Sequence, residues 1–274
     1  TDVTSTGGDI TFLANTNIDL ASGVTVTTGA GQTFYGEATS GAWTMAADAS
    51  LATGDLTSTP VTTGDLYLKT GGDLTVSALD ADGGTIYLEV GGSILDADAG
   101  GSSSPSQLQA SGLALEAGGS IGSSSGSGPL ETTAVTLAAT AAGADGIDLR
   151  GEGGTLTVAT VESPTNPQYS AVVEKVRDTG TTEAFTKGLL SDVRTTANNG
   201  KIDLRTPNGA LTINGGSDDS SSVGVSADGS GAVSLKATES TGTRTLTVNA
   251  DVLSGSGLLD LYAEEALTVA AGVS

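Results

Sequence analysis

The chain has no cysteine and no histidine. Without thiols or imidazoles it can form no disulfide framework, no Ser-His or Cys-His nucleophile and no thiolate or histidine zinc site. A large exported bacterial chain fits the lack of cysteine. Aromatic residues make up only 3%, with a single Trp and a single Met. Basic residues are scarce too: 10 Lys+Arg stand against 32 Asp+Glu, for a net charge of -22. Such a balance repels phosphate backbones and anionic lipid, so nucleic acid and membrane surfaces are not expected partners. No apolar run approaches the roughly eighteen residues of a membrane span. Thr1 to Gly8 has neither a basic nor an apolar stretch of signal-peptide type, so any export signal or anchor is expected outside this sequence.

What is present is glycine, 41 residues of it, with abundant Ser and Thr and a largely aliphatic 37% of hydrophobic residues. The aliphatics alternate with polar residues, which separates an ordered, turn-rich β chain from a disordered tract. At 274 residues the chain exceeds the usual size of a single core, but repeat folds escape that limit because each unit touches only its neighbours.

A repeat is visible. Short apolar-polar-apolar triplets occur at Ile10-Thr11-Phe12, Leu66-Tyr67-Leu68, Ile86-Tyr87-Leu88, Leu113-Ala114-Leu115, Ile147-Asp148-Leu149, Ile202-Asp203-Leu204, Val233-Ser234-Leu235 and Leu259-Asp260-Leu261. Each is followed by a second apolar segment, beginning at Ile18, Leu74, Ile94, Ile121, Leu156, Leu211, Leu246 and Leu267, and five of the eight followers start eight residues after their leader. Alternation points the aliphatic pairs inward, and Thr11, Tyr67, Tyr87, Asp148, Asp203 and Asp260 outward. Linkers such as Gly71-Gly72-Asp73 and Gly91-Gly92-Ser93 join segments too short to bury a sandwich face, so a solenoid accounts for the recurrence better than a hairpin meander. The expected fold is all-β: a right-handed parallel β-helix, or β-solenoid, with loop excursions, forming one segment over residues 1–274.

Three regions depart from the repeat: Phe34 to Pro60, the Ser/Gly-rich Gly100 to Ser106 with Gly122 to Gly128, and Glu162 to Asn199. Each is expected to leave the solenoid as a loop. The last holds Lys175, Arg177, Lys187 and Arg194 and a helix-like run, Ala171 to Arg177, so residues 162–199 are expected as an inserted excursion carrying one short α-helix.

Gly8-Asp-Ile-Thr-Phe-Leu-Ala14, followed by Asn17-Ile-Asp-Leu-Ala21 and echoed at Gly64-Asp-Leu-Tyr-Leu68 and Gly200-Lys-Ile-Asp-Leu204, resembles the repeats of filamentous-haemagglutinin-like exoproteins and autotransporter adhesins. The resemblance covers most of the chain and reports architecture more than activity. It implies a right-handed β-helix on a large protein secreted across a Gram-negative outer membrane, found at the cell surface and serving adhesion or cell-to-cell contact.

On this reading the chain is a non-enzymatic adhesin or surface-filament stalk segment, and its partner is a cell-surface protein or glycan, or copies of itself stacked end to end. A self-assembling structural filament subunit and a polysaccharide-active β-helix enzyme are the alternatives. The enzyme would need paired carboxylates such as the outward Asp148, Asp203 and Asp260, whose equivalent repeat positions suit an exposed polar face as well. Contact candidates are Lys175, Arg177 and Lys187 in the excursion, and Trp43 and Tyr35, which would either form a recognition patch or fill the irregular end of the helix. No cofactor is expected apart from Ca²⁺, for which Asp80, Asp82, Asp96 and Asp98 are candidate ligands or else solvated turn carboxylates.

Overall fold

The computed structural model describes residues 2–54, 64–98, 107–123, 128–217, 222–238 and 244–274, the side chain of Asp82 excepted. Among these residues every regular element is a β-strand and every strand pair but one is parallel. Outside that one pair, the strands bond to the equivalent strand one coil away, giving a solenoid-like stack with one large parallel sheet nearly closed on itself.

The first wall of the stack runs through Ile10–Ala14, Phe34–Ala38, Leu66–Thr70 and the end of Ala78–Val90, then the end of Leu108–Ala117 and Thr136–Ala141. The second begins with Ile18–Leu20, Trp43–Met45, Leu74–Val76 and Ile94–Asp96. It continues through single bridges at Ile121 into Ile147–Gly151, Ile202–Thr206, Val233–Ala237 and Leu259–Ala263. A third set of short strands closes the coil, beginning with Val3–Thr4, Thr25–Thr27 and Ser50–Ala52.

In-register stacking turns the period-2 pattern into rows. Ile10, Phe34, Leu66, Ile86, Leu113 and Leu137 form one inward row, nearly all of it fully buried. Burial of each such side chain stabilises by about 1.5–3 kcal/mol, but only when the coils on both sides are in place. Corner side chains then satisfy backbone donors of the next coil. Asp9 Oδ1 accepts from Thr33 N at 2.7 Å, Asp73 Oδ1 from Ser93 N at 2.7 Å and Asn17 Oδ1 from Ala42 N at 3.0 Å. The acidic or amide residue entering a strand is therefore a corner cap. A Cβ at Gly118 would strike the carbonyl oxygen of Gly91, and one at Gly91 that of Gly71, so the corner admits nothing larger than glycine.

Three expectations are corrected. Residues 34–54 do not leave the solenoid: Phe34–Ala38, Trp43–Met45 and Ser50–Ala52 form an ordinary coil. The repeat is disguised there because Phe34 and Trp43 replace aliphatics and Gly36 occupies an inward site. A Cβ on Gly36 would lie 2.5 Å from the Trp43 ring, so the glycine makes the space that the indole fills. The α-helix is absent: Ala171–Val176 is a strand, paired antiparallel with Thr182–Lys187. Its β-branched valines serve strand and helix patterns alike, and the surface beneath decides for the strand. The excursion is also shorter than 162–199, since Val193–Thr195 is back in the stack, paired to Ala139–Ala141. Residues 55–60, Gly100 to Ser106 and 124–127, expected as loops, lie outside the described residues.

Candidate functional site

The excursion leaves through the middle of the first wall. Strand Thr136–Ala141 is continued by two strands: Leu156–Val158 pairs with its first half and Val193–Thr195 with its second. The chain between them therefore emerges on the outer face. Its neck is an antiparallel bridge of Val161 to Leu190, tied by Ser170, whose hydroxyl donates to the Val161 carbonyl at 2.7 Å and accepts from Leu190 N at 2.9 Å. Ala114 and Ala138, the small members of the outward row, are buried with Val161 and Leu190 in this outer cluster.

From the neck the hairpin turns back along the stack and lies over the earlier coils. Beneath it the outward row is aromatic: Tyr35, Tyr67 and Tyr87 stand in register, with ring centroids 5.3 and 6.0 Å apart. Phe185 packs at 4.7 Å from Tyr67 and 5.2 Å from Tyr35. With Ala171 and Val173 they form a second apolar cluster outside the solenoid.

The first hairpin strand is fastened along its edge. Val172 N donates to Asp65 Oδ2 at 2.8 Å, Glu174 N to Thr33 Oγ1 at 2.7 Å and Val176 N to Thr11 Oγ1 at 2.8 Å. Three alternate amides are thus capped by side chains of three successive coils. Asp65 is the central clamp, since it also accepts from Ser163 Oγ at 2.6 Å and Thr85 N at 2.9 Å.

Alongside the tyrosines runs a charged row, Glu37, Lys69, Glu89 and Glu116. Tyr35, Tyr67 and Tyr87 donate to Glu37, Glu89 and Glu116 at 2.8, 2.8 and 2.6 Å. Burial first, and these carboxylates second, push all three phenols far above the ordinary tyrosine range. Burial would also raise Glu89, but hydrogen bonds from Lys187, Lys69 and Tyr67 outweigh it and hold its carboxyl at about 2. Glu37 is lowered in the same way, burial opposing and Tyr35 and Lys175 prevailing.

Of the expected contact residues, Lys175, Lys187 and Tyr35 come together here. Lys175 Nζ lies 3.2 Å from Glu37 and 4.5 Å from the Tyr35 ring centroid. Lys187 Nζ lies 2.7 Å from Glu89 and 5.0 Å from the Tyr87 centroid. Arg177 sits at the hairpin tip, paired with Glu183. Trp43 is not among them: it is fully buried in the inner core between Phe12 and Phe34, and so forms no recognition patch. Tyr35 is 3% exposed and belongs to the floor under the hairpin.

Of the acidic candidates, the side chain of Asp82 lies outside the described residues, and Asp80 and Asp96 stand on different sheets. Asp80 is in register with Ala52 and Gln109, whereas Asp96 is in register with Val76 in the other sheet. Asp96 and Asp98 line a recess of about 200 Å³ with Asp48 and Gln107. Burial raises Asp96 to about 6. Among the described residues no group of three or more acidic side chains is placed to hold a metal. The outward Asp148 and Asp203 are in register, but Asp148 is 2% exposed and bound by Arg205 Nη2 at 2.6 Å.

The contacts that Asp65, Thr33, Thr11 and Phe185 make with distant residues are not legible in the sequence, because these partners lie about a hundred residues or more away. The tyrosines gave a partial signal, since Tyr67 and Tyr87 hold the same position in consecutive triplets. Comparison with protein-family models, curated proteins and solved structures finds no match to this chain.

Proposed function

We propose that the chain is a right-handed parallel β-helix working without catalysis as a segment of an extracellular adhesin or surface-filament stalk, in which the strapped hairpin is the contact element. One observation carries this reading: the single described departure from the stack is a hairpin braced across successive coils, with the outward residues of its second strand exposed. A rod that orders one protruding element this firmly is suited to presenting it. The ionic groups beneath the hairpin neutralise one another, which suits a structural mount better than a reaction centre.

The reading is tested by binding of the purified chain to a panel of cells and immobilised glycans, with sugar-end release measured in parallel. A variant replacing the outward Thr182, Ala184 and Thr186 by glutamate should lose at least about tenfold of the binding, a difference of about 1.4 kcal/mol. Undiminished binding by that variant, binding to no target, or release of sugar ends would each sink it.

A further inference from the structure

The two edges of the hairpin are treated oppositely. Because Val172, Glu174 and Val176 turn their amides away from the second strand, the bonded pairs within the hairpin are Ala171 with Lys187, Val173 with Phe185 and Lys175 with Glu183. Antiparallel geometry then places the amides and carbonyls of Thr182, Ala184 and Thr186 on the far edge. Their side chains are exposed, and no strand pairs there among the described residues.

Natural edge strands are usually blunted by lysine, proline or a covering segment. Here the lysine of the strand points toward the solenoid, Lys187 onto Glu89, its glutamate, Glu183, is paired within the hairpin with Arg177, and the outward positions carry small residues of no charge. Beside this edge Lys187 walls an open groove of about 550 Å³, lined also by Lys69, Glu89, Glu116 and the corner glycines Gly91 and Gly118. Glu116 meets Tyr87 and Lys187 through Oε2, and its side chain is 37% exposed.

We infer that the far edge of Thr182–Lys187 takes up an extended basic peptide segment by strand addition, which names the partner class for the contact element proposed above and rests on that reading. Backbone pairing at Thr182, Ala184 and Thr186 supplies the attachment, and a lysine or arginine of the added strand meets Glu116. The chain's charge of -22 favours a cationic partner at every approach.

The test is fluorescence anisotropy of the whole chain with a labelled octapeptide alternating Val/Thr with Lys, and with the same peptide carrying Glu for Lys. The Lys peptide should bind saturably and the Glu peptide should not. Ala184→Pro removes an outward amide without touching a hairpin bond, and should weaken binding about fivefold or more, whereas Ala184→Thr should not. Resistance to trypsin at Lys175 shows that the hairpin is intact in the proline variant. Should it be lost, Glu116→Gln serves instead and should narrow the preference for the Lys peptide. Absence of binding, equal binding of both peptides, indifference to both Ala184→Pro and Glu116→Gln, or dimerisation through this edge would overturn the inference. Cell binding that persists without peptide binding would overturn it and leave the adhesive reading standing.

Discussion

Single residues in this stack are judged by what lies one coil above and below them. Gly36 is inward, with Trp43 on one side and Leu68 on the other. Gly36→Ala should destabilise by about 1–3 kcal/mol, as overpacking of a tight core does, because the indole is wedged against Phe12 and Phe34 and has nowhere to move. Urea unfolding followed by Trp43 fluorescence reads this directly, and a change below about 0.5 kcal/mol would refute it. Two carboxyls give opposite pH dependences. Glu89, held at about 2 when folded, stabilises fully above the ordinary glutamate range and loses that contribution as pH falls through about 4.5 toward 2. Asp96, raised to about 6, favours the folded state below about 4 and loses that advantage as pH rises through 6. Glu89→Gln should therefore be less stable than the parent at pH 7 and approach it near pH 2. Asp96→Asn should be more stable at pH 7, the difference closing below about pH 4. Denaturation midpoints across this range decide both, and reversal of either sign would refute the assignment.

At the scale of elements, the hairpin is a strand pair whose structure is imposed from outside. Ala171 to Arg177 carries valines at spacings open to either helix or strand, and the choice falls to the tyrosine row beneath and to Asp65, Thr33 and Thr11. None of these is near it in sequence, which is why the strand was not legible there. The stack's own strands were legible because their signal is local: alternating aliphatics entered through glycine, with an outward residue between. Where aromatics or glycine replaced aliphatics, as over residues 34–54, the same element went unread. The position of the excursion was visible in its basic residues, but its role as a cover over an aromatic floor was not. The clamp at Asp65 can be tested alone. Asp65→Ala leaves the amides of Val172 and Thr85 without their acceptor, and leaves the Ser163 hydroxyl only Thr165 Oγ1 to turn to. Buried donors stranded in this way cost about 1–3 kcal/mol each, so the hairpin should loosen before the solenoid does. Trypsin should then cut at Lys175 and Lys187 at least about tenfold faster, consistent with a local opening made easier by about 1.4 kcal/mol. Unchanged cleavage would show that the tyrosine cluster holds the hairpin without help.

For the whole molecule, the hairpin changes how the coils depend on one another. A repeat array is normally coupled only between neighbours. Here the bond from Val176 to Thr11 spans 165 positions in sequence, and the neck that carries it grows from the strand Thr136–Ala141. The early coils therefore cannot reach their final state until that neck exists, which makes the route to the folded state long-range and slow. Phe185→Ala, which removes the ring against Tyr35 and Tyr67, should uncouple them: Trp43 fluorescence and hydrogen exchange at Leu235 should report one transition in the parent and separate transitions in the variant. Coincident transitions in the variant would argue that the stack alone is cooperative. Tension brings out a further consequence. Pulled along its axis, a stack of coils parts where inter-coil bonds are stretched end-on and give way in turn. From the neck back to the first coil, the hairpin's covalent backbone lies along the pull like a splint, and its bonds to three coils share the load. Among the described residues the coils beyond the neck have no such brace, so a rod under strain should open first among the coils that follow Lys201 and keep its hairpin-bearing end intact.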